Sequence, residues 1–162
     1  MVVRPSPFRP PLDVGARHEK SQNMEATRFL PLLGRILIGL VFLVSGLGKL
    51  ASFGPTTAYI SSVGLPLPQL GWAIAVILEV GGGFLLILGF RVREVASGLA
   101  VFTLAAAIFF HHDFADRNQM IHFLTNIMII GGLLQIAHFG AGRYSLDARR
   151  SRDPKNVAGA TA

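Results

Sequence analysis

The chain has 162 residues and no cysteine, is 51% hydrophobic and only 15% charged, and carries a formal net charge of +6. Its mean hydropathy of +0.52 is too high for an ordinary water-soluble domain, and the lack of thiols excludes disulfides, thiolate metal sites and a thiol relay within this chain. The basic residues gather before Leu30, at Arg91 and Arg93, and after Gly142, a segregation that points to a lipid bilayer and away from nucleic acid.

Residues 1–28 hold Arg4, Pro5, Pro7, Arg9, Pro10 and Pro11 with no hydrophobic period, the composition of a disordered basic tail. This segment lacks the apolar centre of a secretory signal peptide, and Met24 offers an alternative translation start. Four apolar stretches follow, at 29–51, 69–90, 94–111 and 120–139. Each is set against the roughly 20 residues that a helix needs to cross about 30 Å of hydrocarbon. The third is the shortest, but Val95 to Phe110 is unbroken by charge, and the fourth has no acidic or basic residue between Arg117 and Arg143. The expected fold is therefore all-α, a membrane four-helix bundle over 29–142, with a second basic tail over 143–162.

Short links at 90–93 and 112–119 suit antiparallel neighbours. The longer link, 52–68, has Pro55, Gly64, Pro66 and Pro68 around the mildly apolar TTAYISSV; it is expected to lie on the membrane surface and cap one end. Twelve basic residues fall in the two tails and the 90–93 turn, and only Arg117 falls in the opposite loops. That asymmetry predicts both termini on the cytoplasmic side.

An ionisable group at the centre of a membrane helix costs about 2.5–3.5 kcal/mol and needs a partner, water or a route to the interface. Arg35, Lys49 and Glu79 pose this problem. Arg35, Gly39, Phe42, Gly46 and Lys49 share one stripe of the first helix, and Trp72, Ala75, Gly82, Gly83 and Leu86 flank Glu79 on the second, so both faces should turn inward. The expected contact is an Arg35–Glu79 ion pair, with Lys49 snorkelling outward; a purely structural pair stands against proton uptake or ligand binding at Glu79. At the outer end, His111, His112, Asp113, Asp116 and His122 are metal-ligand types. Their spacing matches no known site, so no metal is predicted there and solvated side chains are the plainer explanation. Haem between His111 and His122 is weaker still. Asn126, one turn after His122, should hydrogen-bond across the bundle.

The strings LGRILIGLVFLVSGLGKL, GLPLP, LEVGGGFLLILGF with its basic turn, HHDF and QMIHFLTNIMIIGGLL, over about 32–146, resemble the DoxX family of small bacterial membrane proteins. The resemblance implies a four-helix bundle in the inner membrane. It also implies kinship with the small subunit of a thiosulfate:quinone oxidoreductase and with complexes that answer oxidative or thiol stress. Carried over by position, the signature comprises Arg35, Gly46, Lys49, Glu79, Gly89, His111 and Asn126. Thr125 departs from it, standing where relatives often have lysine, which puts a cation at that site in doubt.

The expected function is accessory: a membrane subunit of a quinone-linked or stress-related oxidoreductase complex. Quinone is the cofactor class implied, and a catalytic protein partner is needed because the chain has no electron carrier of its own. The alternative is a non-catalytic scaffold, followed by a small-solute or proton pathway, which four helices without an inverted repeat suit poorly unless they form a homo-oligomer.

Overall fold

The computed structural model describes residues 28–152; residues 1–27, with Met24, and 153–162 lie outside them. The described chain is all-α: α1 (Leu30–Ala51), α2 (Phe53–Ser62), α3 (Pro68–Leu88), α4 (Val92–Phe110), α5 (Arg117–Phe139) and α6 (Leu146–Arg150). Of these, α1, α3, α4 and α5 are long and apolar enough to cross a membrane. They coincide with the four expected spans, with ends shifted by no more than three residues.

The shifts have local causes. Proline in the first turn of α1 (Pro31) and at the start of α3 (Pro68) needs no intrahelical N–H partner, so each marks an entry. α5 begins at Arg117 because the Asp116 carboxylate accepts from Asn118 N (2.7 Å) and Gln119 N, covering two of the donors that a helix start leaves open. α4 begins at Val92 because Asp147, far along the chain, accepts from Arg91 N (2.8 Å) and Val92 N (2.9 Å).

The expected surface segment folds as α2, with Ser52 alone separating it from α1. Only Ile60 of α2 is buried. Tyr59 Oη donates to the Phe110 carbonyl at 3.1 Å and ties α2 across to the end of α4.

α1 and α3 run antiparallel and meet backbone to backbone. A Cβ on Gly39 would sit 2.8 Å from the Gly83 carbonyl oxygen, and one on Gly83 equally close to that of Gly39, the small-residue contact through which membrane helices approach. The buried positions of α1 are Arg35, Gly39, Phe42 and Gly46, four members of the stripe read from the sequence. α3 contains a π turn over Ile77–Gly81 with Glu79 at its middle; such turns are frequent at functional positions. Phe42, Leu86, Val92, Ala96, Leu99, Ala100 and Leu133 make the apolar core, joining α1, α3, α4 and α5.

The segment after Gly142 departs from the expected tail, because it folds back on the bundle before the described residues end. Ser145 is buried and caps α6 by accepting from Ala148 N. Asp147 N donates to the Gly89 carbonyl at 2.9 Å, and Tyr144 stacks on Phe29 with ring centroids 4.7 Å apart. Capacity for hydrogen bonding explains the difference: the exposed N–H and C=O groups of the turn between α3 and α4 need partners, and this segment supplies them.

Candidate functional site

Glu79 pairs with Lys49, not with Arg35. Lys49 Nζ lies 2.9 Å and 2.8 Å from the two Glu79 carboxylate oxygens and also donates to Ser45 Oγ at 2.8 Å. The side chain of Glu79 is 7% exposed and that of Lys49 32%. The expected outward snorkelling of Lys49 is thus reversed. A helical side chain leans toward the N-terminus of its own helix, so Lys49 folds back over the turn that holds Ser45 and reaches the level of Gly46. That level faces Glu79, since a Cβ on Gly46 would lie 2.9 Å from Glu79 Cβ and 2.7 Å from Val80 Cγ2. Glycine at 46 is therefore what lets the carboxylate come close to α1.

Arg35 misses Glu79 because of register. With Gly39 against Gly83, the antiparallel pairing places Arg35 beside Leu86 and Gly89 at the end of α3, about two to three turns from Glu79 at about 3.6 residues per turn. There it is fully buried and donates to three carbonyls: Pro31 O (3.3 Å), Leu86 O (3.3 Å) and Tyr144 O (2.6 Å). Leu86 O lies in the last turn of α3, where it also accepts from Gly89 N at 3.2 Å, and Tyr144 O belongs to the returning segment, so Arg35 acts as a pin between three pieces of chain. Gly89 makes room for it: φ is +74° there, and a Cβ would run into Arg35 Nη1 and Ser145.

The Lys49–Glu79 pair borders a cavity of about 410 Å³ between the first half of α3 and the last half of α4, roofed by Tyr59 and Ile60 of α2. Its walls are apolar, with Phe102, Phe109 and Phe110 prominent. Ile74 and Phe109, on facing walls, are 47% and 48% exposed, so the cavity opens toward the side that would meet lipid. Trp72 Nε1 donates to the Lys49 carbonyl at 2.8 Å and its ring meets Phe53 edge-on at 4.9 Å, fixing the end of α1 beside the roof. An apolar chamber of this size with one charged pair in its wall is the usual form of a small-molecule site.

The outer polar cluster comes only partly together. His111 Nδ1 donates to Gln119 Oε1 at 2.9 Å, and the His111 and His122 rings lie 5.1 Å apart. Asp113 and Asp116 are committed to backbone amides of the loop and the start of α5, and His112 is exposed. Among the described residues no three His, Asp or Glu side chains are grouped to hold a metal. Asn126 is half-buried on α5 and joins neither site.

Sequence reasoning missed Ser45, Tyr59 and Tyr144. Ser45 was findable, standing one turn before Lys49 on the same face; the other two depend on long-range folding of α2 and of the returning segment.

Residues 30–112 match the DoxX family model. The chain is 37% identical over 116 residues to "Inner membrane protein YqjF" of Escherichia coli (strain K12), covering 72% of this chain and 88% of that protein. It is 38% identical over 125 residues to "Inner membrane protein YphA" of the same organism, covering 74% of this chain and 89% of that one. No solved structure gives a match.

Proposed function

The chain belongs to the DoxX family, and from that premise we propose that it is a multi-pass inner-membrane protein serving as the quinone-binding accessory subunit of an oxidoreductase complex. Inner-membrane residence follows the two Escherichia coli relatives, and the basic-residue asymmetry orients both termini toward the cytoplasm. The observation that carries the reading is the apolar cavity of about 410 Å³ with the Lys49–Glu79 pair in its wall. Such a chamber suits the head of a lipid-soluble quinone: flat apolar surface against Phe102 and Phe109, oxygen atoms toward the charged pair. A bound quinone would supply the two-electron chemistry, while the Lys49 ammonium would donate to its oxygen in place of one of its present acceptors and Glu79 would accept from a hydroxyl of the reduced form. The source of electrons would be a partner protein, because the chain has no cysteine with which to hold a redox centre or relay electrons as thiols.

One observation favours the scaffold alternative: the three ammonium hydrogens of Lys49 already have acceptors in the chain, as a purely structural pair would. Solvent extraction of protein purified in mild detergent separates the two. Quinone or hydroquinone present at near one per chain, and lost when the charged pair is removed together in the Lys49→Met, Glu79→Leu double variant, is the expected result. A stable oxidoreductase partner with no quinone in either protein would leave only the scaffold.

A further inference from the structure

The hydrogen-bond capacity of the cavity is lopsided. Each polar donor around it is committed: Lys49 Nζ to Ser45 Oγ and both Glu79 oxygens, Trp72 Nε1 to Lys49 O, and Tyr59 Oη to Phe110 O. Thr56 is committed too. Ser52 Oγ donates to Gly48 O at 2.7 Å, so in the 3.2 Å contact between Ser52 and Thr56 the hydrogen comes from Thr56. The acceptors are not used up. Each Glu79 oxygen accepts one hydrogen bond, and a carboxylate offers about four lone-pair sites in all.

We infer that the cavity selects amphiphiles whose polar head donates hydrogen bonds, so that it binds a hydroquinone or phenol in preference to the matching quinone. This rests on the cavity being a ligand site, as proposed above. A carbonyl head would have to displace Ser45 or Glu79 from the ammonium before it gained a partner. A hydroxyl head can donate to Glu79 and leave the pair intact. A hydrogen bond to a charged group is worth about 1.5–3 kcal/mol, which corresponds to a preference of about tenfold or more. For a bound couple, tenfold tighter binding of the reduced form raises the two-electron potential by about 30 mV. The cavity would then favour reduction of the quinone held in it.

The test uses the full chain in lipid nanodiscs and three probes of nearly one shape: a decyl-substituted benzoquinone, its hydroquinone kept reduced without oxygen, and the dimethyl ether of that hydroquinone. The hydroquinone should bind about tenfold tighter than either of the others. In Ser45→Ala, where one ammonium hydrogen loses its acceptor, the quinone should gain affinity and the preference should shrink toward parity. Quinone binding as tightly as hydroquinone, the ether matching it, or a preference unchanged in Ser45→Ala would each overturn the donor-head inference while leaving the ligand cavity standing. Failure of all three probes to bind would overturn the cavity reading, and this inference with it.

Discussion

Lys49 and Glu79 hold each other between two helices that also touch through glycine, so neither charge can leave without stranding the other. Removing one partner of a buried pair costs about 3–5 kcal/mol, whereas exchanging both for apolar groups of similar volume is close to neutral. Lys49 keeps about a third of its side chain exposed, which places the loss at the lower end. Glu79→Leu and Lys49→Met should each lower stability in detergent by about 3 kcal/mol, and the double variant should recover most of it. Chemical unfolding followed by helical circular dichroism measures this; additive losses would mean that the pair is not coupled. Gly89 presents a different kind of constraint. Gly89→Ala should cost more than the roughly 1 kcal/mol of a left-handed position alone, because Arg35 occupies the space. In an Arg35→Ala background the same change should cost less. An undiminished penalty there would mean that strain, not crowding, dominates.

The four spans and the inward faces of α1 and α3 were legible because both rest on local rules: length against hydrocarbon thickness, and a 3.6-residue period that gathers Arg35, Gly39, Phe42 and Gly46. The partner of Glu79 was not legible, because two antiparallel helices of unknown register offer it both Arg35 and Lys49. The Gly39–Gly83 crossing settles the register, and no single-helix pattern contains it. The same holds for α6, whose role lies in a contact with a turn more than 50 residues earlier in the chain. Asp147 covers two amides at the start of α4 with a negative charge, a cap worth about 1 kcal/mol. Asp147→Ala should therefore speed hydrogen exchange at residues 91–95, with little change in α5, and Asp147→Asn should have a smaller effect because its amide oxygen still accepts. At the other end, Tyr59→Phe removes the hydrogen bond from α2 to Phe110. Exchange should then rise in α2 and leave α1 protected; a uniform rise would place Tyr59 in the general packing and not in the roof.

For the whole molecule, the two ends differ in a way that bears on both placement and function. One end carries α6, the Arg35 pin, Arg91, Arg93 and Arg143; the other carries α2, Trp72 and the loop before α5, with Arg117 as the basic residue among the two links there. If the basic end faces the cytoplasm, the Lys49–Glu79 cavity lies in the outer half of the bilayer, and a lipid-soluble ligand would enter from that leaflet. Reporter fusions after Ala58 and after Arg117 should then be active only outside the cytoplasm, and one after Arg143 only within it. Ala58 and Arg117 lie on the same side of four antiparallel helices, so they must agree with each other whichever way the bundle is inserted. Agreement with reversed polarity would move the cavity to the inner leaflet and keep the fold. Disagreement between the two would mean that α3 and α4 do not both cross, and the cavity between them could not be built in the bilayer.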